Sequence, residues 1–289
     1  MVNFLKYRWL YFAISAIVIG SGIVSMVRFG YIYSIDFVGG TNIEYQLNKN
    51  VSADAVRTVL KNNGVDAVTV SVAKNVITAR AKAIDEKKEA ALKGAISKKF
   101  NSPVTVLRSE TVGPSLGRET MIKTALASLL AVVGILIYMS FAFKGINFAL
   151  AAILALFHDL FVVLGVYSIL SFFYKAEVDT MFVTAVLTTM SFSVHDTIVI
   201  FDKIREYMRT EGRGDIDHYV NRALTETLVR SLNNSMTIIF MLLALTLLGG
   251  STIKFFVMTL LVGTITGTYS SPFVAAPLLV WLEKMRKRK

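Results

Sequence analysis

The chain has 289 residues, 54% of them hydrophobic, with a net charge of +11 and no cysteine. So apolar a composition excludes an ordinary soluble domain, and the missing cysteines exclude disulfides and thiolate metal sites. The positive charge comes without any RNA- or DNA-reading motif, so no nucleic-acid partner is expected; basic residues beside membrane spans account for it.

Six stretches reach the roughly 20 apolar residues that a bilayer crossing takes. They are Trp9 to Val27, Thr124 to Phe143, Ile146 to Phe173, Met181 to Phe201, Leu232 to Leu248 and Phe255 to Trp281, which predicts a polytopic α-helical membrane protein. The first follows Lys6 and Arg8, and "SGIVSMVRFGYIY" after it offers no small-x-small cleavage site, so it reads as a retained anchor. Lysines and arginines collect at Lys6, Arg8, Lys144, the run Lys203 to Arg230 and the tail "EKMRKRK", against Lys175 and Lys254 in the opposite short loops. This asymmetry predicts that both termini are cytoplasmic. The expected division is 1–28 for the N-terminus and first span, 29–118 for an extracytoplasmic domain, and 119–289 for five further spans with a cytoplasmic loop at 202–230.

In the polar segment, "NIEYQL" alternates as a strand, and "SADAVRTVLKNNG" opens on the helix cap Ser52 and closes on Gly64. "AVTVSV" alternates, which puts Val68, Val70 and Val72 on one face. A turn around Lys74 and Asn75 leads to "NVITARA". A helix from Ile84 to Phe100 then carries Ile84, Leu92, Ile96 and Phe100 on one stripe, before the last strand, "PVTVLRSE". The order β-α-β-β-α-β is that of an α+β, ferredoxin-like split unit. It contains no histidine, and its carboxylates alternate with lysines, so a binding or lever role is expected rather than catalysis, with no catalytic residue and no cofactor. "IDFVGGT", with Asp36, Gly39 and Gly40, and "VGPSLGRE", with Gly113 and Pro114, bracket this domain; each alone reads as a turn.

The ionisable groups inside the spans carry the functional question, because a charge in hydrocarbon costs at least a few kcal/mol. His158 and Asp159 lie near the middle of the third span, and His195 and Asp196 lie in the fourth, five residues from its apolar end at Phe201. Arg230, Asn233 and Asn234 come just before the fifth span, where a snorkelling guanidinium could meet Asp196. Permanently paired glue between helices is one reading. A metal site from His158, Asp159, His195 and Asp196 is opposed by the pairwise i, i+1 spacing, which turns neighbouring side chains about 100° apart, so no metal is expected. An intramembrane aspartyl protease would need Asp159 to face Asp196, but neither carries the sequence context of that class. Ion or proton coupling remains: a carboxylate whose distance from a cation changes also changes its proton affinity. His195 reads as a group hydrogen-bonded within the bundle or as one that tunes Asp196. "GTITG" (Gly263 to Gly267) allows close packing within the chain or against a partner, Pro272 and Pro277 predict a kink, and "IDHYVNRALTETLV" fits a helix lying on the membrane or on a neighbouring helix, or a solvated loop.

"IDFVGGT", "VGPSLGRE", "LFHDLFVV", "SFSVHDTIVIFDKIRE" and "ALTETLVRSLNNSMT" stand in the order and spacing of the SecD/SecF family of protein-export membrane proteins, within the resistance-nodulation-division superfamily. The resemblance covers nearly the whole chain. It implies six spans in the plasma membrane of a bacterium, a ferredoxin-like first periplasmic domain, and action beside SecD, the SecYEG channel, the SecA motor, YajC and YidC on a translocating preprotein. It implies use of the proton-motive force for late-stage translocation and release, with no enzymatic activity. Asp196 matches the family's membrane aspartate, Arg230 its arginine before the fifth span, and Asp159 its third-span motif; His158, Asn233 and Asn234 accompany them as tuning candidates. His195 departs from the asparagine expected in many relatives. A small-molecule exporter of the same superfamily and a static membrane scaffold are the alternatives, and H⁺ and Na⁺ both fit a lone carboxylate.

Overall fold

The computed structural model describes residues 3–73, 75–143, 145–212 and 214–288. Lys74 of the expected turn, and Lys144 and Lys289 among the basic flanking residues, lie outside the described residues. The chain divides into two compact units, Tyr33–Leu126 and the combination of Met1–Ile32 with Ala127–Lys289.

The first unit is built on a four-stranded sheet of β1 (Gly40–Leu47), β2 (Ala67–Ala73), β3 (Val76–Ala81) and β4 (Val104–Val112), in the spatial order β2-β3-β1-β4. All its pairings are antiparallel. The connecting helices are Ala53–Asn62 and Glu86–Phe100. Their starts follow from short polar caps: the Ser52 hydroxyl accepts from Ala55 N, and Asp85 accepts from Lys88 N at 2.7 Å. Ile43, Tyr45 and Leu47 of β1, with Leu60, Ile77, Leu92 and Ile96, form a core that solvent does not reach. Val70 and Val72 pack against it, but Val68 is 63% exposed. A register shift between Ala67 and Thr69 inserts a bulge, and an extra residue turns the preceding side chain to the other face.

The described residues include six helices long and apolar enough to cross a membrane. They are Phe4–Phe29, Pro114–Ala142, Ile146–Tyr174, Thr180–Thr210, Ile216–Leu248 and Lys254–Arg286, called spans one to six below. Spans three, four and six are the most buried, whereas span two is exposed over nearly its whole length. Span six is not one regular helix: a π-helical stretch, Ser271–Ala275, interrupts it at Pro272. A proline has no N–H to give the preceding turn, so the ladder opens where the sequence places one.

Segment 202–230, expected as a loop, is helical over 202–210 and 216–230: span four runs on to Thr210 and span five already begins at Ile216. The cause is apolar burial beyond the bilayer-length core. Ile204 and Tyr207 on one extension, and Tyr219, Val220, Ala223 and Leu224 on the other, are buried, and Asp215 caps the second helix. The amphipathic segment "IDHYVNRALTETLV" therefore lies on neighbouring helices.

Close backbone crossings hold the bundle. A Cβ on Gly165 of span three would lie 2.5 Å from Gly22 Cα of span one, and a Cβ on Gly263 of span six would meet the Thr189 side chain of span four at 2.3 Å. The "GTITG" pattern is thus an intrachain contact, with Gly267 set against Ser193. Gly165→Leu is expected to lower the stability of the full-length protein in detergent by about 1–3 kcal/mol. Gly20→Leu, two residues from Gly22 and facing open space, should leave the melting temperature unchanged. Thermal unfolding of the two variants side by side checks this.

Candidate functional site

Two buried carboxylates lie in the bundle, in different surroundings. Asp159 on span three is 4% exposed and accepts three hydrogen bonds. Ser193 Oγ of span four donates to its Oδ2 at 2.5 Å, and Ser270 Oγ of span six donates to the same oxygen at 2.7 Å. His158 Nδ1 stands 2.9 Å from its Oδ1; a carboxylate can only accept, so this ring nitrogen holds the proton. The opposite nitrogen of His158 lies 2.9 Å from Ser15 Oγ of span one. One carboxylate thereby ties four spans together, with its histidine neighbour as the fourth link.

Asp196 on span four is also 4% exposed, but it has one donor among the described residues. Ser231 Oγ of span five donates to its Oδ2 at 2.7 Å. Next to Asp196 on span four, Thr197 shares a hydroxyl contact with Ser271 at 2.9 Å, and Thr268 donates to Ser235 at 2.8 Å, so hydroxyls line the seams of span six with spans four and five.

Arg230 does not meet Asp196 in this structure. Ser231 takes the facing position, and its neighbour on the helix points about 100° away, so the Arg230 side chain is exposed. Asn233 and Asn234 are exposed for the same reason. His195 is exposed as well, on the outer side of span four, which corrects its expected hydrogen bond inside the bundle. Four residues proposed together for a metal are therefore not gathered: His158 and Asp159 bond to each other and to serines, Asp196 bonds to Ser231, and His195 faces outward. No group of three His, Asp or Glu among the described residues is placed to hold a metal.

The two glycine motifs form a second cluster, within the polar unit. Ser34 caps a single helical turn, Ile35–Val38, by accepting from Asp36 N at 3.2 Å, and the chain leaves it through Gly39 (φ 74°) and Gly40 (φ 132°). Only glycine takes such angles without strain. A Cβ on Gly39 would lie 2.8 Å from Pro114 Cα, and one on Gly117 would lie 2.7 Å from Gly39 N. "IDFVGGT" and "VGPSLGRE" are thus two halves of one backbone crossing, with Gly39, Pro114 and Gly117 at the contact and Gly113 beside it in open space.

Residues 92–285 match the model of the protein export membrane protein SecD/SecF, C-terminal, and residues 32–51 match that of the SecD/SecF GG motif. The chain belongs to the SecD/SecF family. A protein translocase subunit SecF of Anaerolinea thermophila is 39% identical over 97% of this chain and 94% of its own length. A SecDF subunit of Bacillus subtilis is 33% identical over 99% of this chain but only 39% of its own. Among solved structures, the translocon-associated membrane protein SecDF of Thermus thermophilus matches with a TM-score of 0.87 at 30% identity, over 98% of this chain and 39% of that chain. A SecDF structure in a super-membrane-facing form matches with a TM-score of 0.68 at 29% identity, also over 39% of that chain. Family membership and six spans together make this a multi-pass membrane protein of protein transport.

Within this member of the family, the carboxylates are legible from the sequence, whereas their serine donors carry a weaker signal. Thr189, Ser193 and Thr197 recur every fourth residue along span four, and Ser231 and Ser235 do so in span five. That spacing puts hydroxyls on one helix face. Asp159→Leu would leave two serine hydroxyls and His158 Nδ1 without their acceptor, which costs about 1–3 kcal/mol for a buried polar group. Asp159→Asn keeps an acceptor oxygen and should lose less. Chemical denaturation of the two variants in detergent measures the difference.

Proposed function

We propose that this chain is a non-enzymatic, proton-coupled subunit of a protein-export translocon, acting beside a SecD-like half on a translocating polypeptide. The observation that carries the reading is the contrast between the two buried acids. Asp159 is held by three donors from three directions, which suits a fixed anchor. Asp196, equally buried, rests on one serine hydroxyl and is the group left able to gain and lose a proton. Arg230 follows the same helix and needs a rotation of span five to face Asp196; bringing it in would favour the anion, and its withdrawal would favour the neutral acid. His195 is one residue from the carboxylate and exposed, and the reading makes it a candidate entry point for the proton.

Several observations support the rest of the reading. The relatives named SecF or SecDF are protein translocase subunits, so a SecD half and the Sec channel and motor are the partners to expect. The strand order β2-β3-β1-β4 with two crossover helices is that of a ferredoxin-like unit, which would lie outside the cytoplasm if the Lys and Arg asymmetry sets the orientation. Its role there is that of a lever or binding surface, and the reading assigns it no catalysis.

The test is export into proteoliposomes that hold the complete translocon, with ATP alone and with an added proton gradient. Asp196→Asn should keep the melting temperature and partner co-purification of the parent protein and lose the gradient-dependent share of export. Gradient-dependent export at the parental rate in that variant would remove the proposal.

A further inference from the structure

We propose that the groove between the start of span one and the end of span six binds an anionic phospholipid, with Arg8 as its phosphate ligand. The inference is independent of the proton-coupling reading. The groove is a cavity of about 500 Å³, and its floor is hydrocarbon, from Phe12 on span one and Leu278 on span six. At one end stand two cations, Arg8 and Lys284. Trp9 and Trp281 line the same cavity, and they are the chain's two tryptophans. Both are exposed, at 74% and 56%, on helices that are otherwise apolar. Tryptophan settles where hydrocarbon meets headgroups, with its ring in the apolar layer and its N–H in the polar one. Two of them flanking a single cavity set the depth of that cavity at the headgroup boundary.

The charges then choose the occupant. Lys284 shares its ammonium with Asp217, at 2.5 Å. Arg8 has no ion pair among the described residues; it begins the α-helical part of span one and lines the groove. A cation with no protein counter-ion, placed above an apolar slot at headgroup depth, matches a lipid that carries net negative charge on a phosphate and an acyl chain beneath it. A neutral lipid would leave Arg8 uncompensated, and a free phosphate would leave the apolar slot unfilled.

Because all tryptophan emission of this protein comes from the groove, its occupancy can be read directly. The full-length protein would be reconstituted in phosphatidylcholine vesicles containing increasing fractions of either brominated phosphatidylglycerol or brominated phosphatidylcholine, whose bromines quench nearby indoles. The expected result is an apparent affinity for the anionic lipid about fivefold above that for the neutral one, as one uncompensated cation near the surface provides. Arg8→Gln should abolish this preference and Arg8→Lys should restore most of it, at an unchanged melting temperature. Inorganic phosphate in the millimolar range should not displace the quencher. Equal quenching by the two brominated lipids would overturn the proposal. So would a preference that survives Arg8→Gln, or displacement by phosphate alone, which would point to a site for the free anion. Quenching by neither lipid would overturn it too.

Discussion

Hydrocarbon accepts no hydrogen bonds, so each polar group inside this bundle must find its partner in the protein, on its own helix or on a neighbouring one. Serine is the donor used at both carboxylates, and its side chain is only one carbon long. It reaches across a helix seam only if the two backbones come unusually close. Glycines provide that approach: Gly22 on Gly165 draws span one onto span three, and Gly263 and Gly267 draw span six onto span four at Thr189 and Ser193. Ser193 then lies close enough to donate to Asp159, and the opened turn at Pro272 accompanies two consecutive inward hydroxyls, Ser270 and Ser271, that serve Asp159 and Thr197. The small residues and the polar clasp are one device. Either without the other leaves unsatisfied groups or empty space.

The same constraint divides the labour between the acids. Three donors from spans three, four and six make Asp159 costly to disturb, since any sliding of these helices strips a buried carboxylate of its partners. Asp196 sits at the seam of spans four and five with a single hydroxyl, and that seam carries the exposed His195 and Arg230 on its flanks. A bundle with one clasped seam and one lightly held seam has a defined place to move. The proposed proton coupling would keep spans three, four and six together and move the contact between spans four and five. A proton-coupled machine needs this division, because a titrating group does work only if the packing around it has two arrangements.

Much of this architecture is legible from residue patterns. Apolar run length identifies the six spans, and period-two and 3.6-residue patterns identify the strands and helices of the polar unit, with the cap at Ser52; the second helix, expected from Ile84, starts at Glu86 because Asp85 caps it. Local patterns miss what depends on three-dimensional neighbours. The Val68 face is reversed by a bulge that no propensity marks. Helical extensions beyond Phe201 are hidden because their buried faces, around Tyr207 and Tyr219, are diluted by charges on the opposite side. The glycine motifs read as separate turns because their meeting joins residues 39 and 117, far apart in sequence. At the site, the buried acids announce themselves by their cost, but their partners do not. Arg230 attracts attention as a charge, whereas the neighbouring Ser231 is the residue that faces Asp196, and only the rotation of span five decides between them.

The claim on which the account depends is that Asp196 exchanges a proton in the working protein while Asp159 does not. Difference infrared spectroscopy of the protein in membranes, taken across a change in external pH, reports directly on carboxylic-acid carbonyl bands. The account predicts a reversible carbonyl band that is absent in Asp196→Asn and unaffected in Asp159→Asn. A spectrum with no pH-dependent carboxyl band, or one whose band disappears in Asp159→Asn and persists in Asp196→Asn, would contradict it.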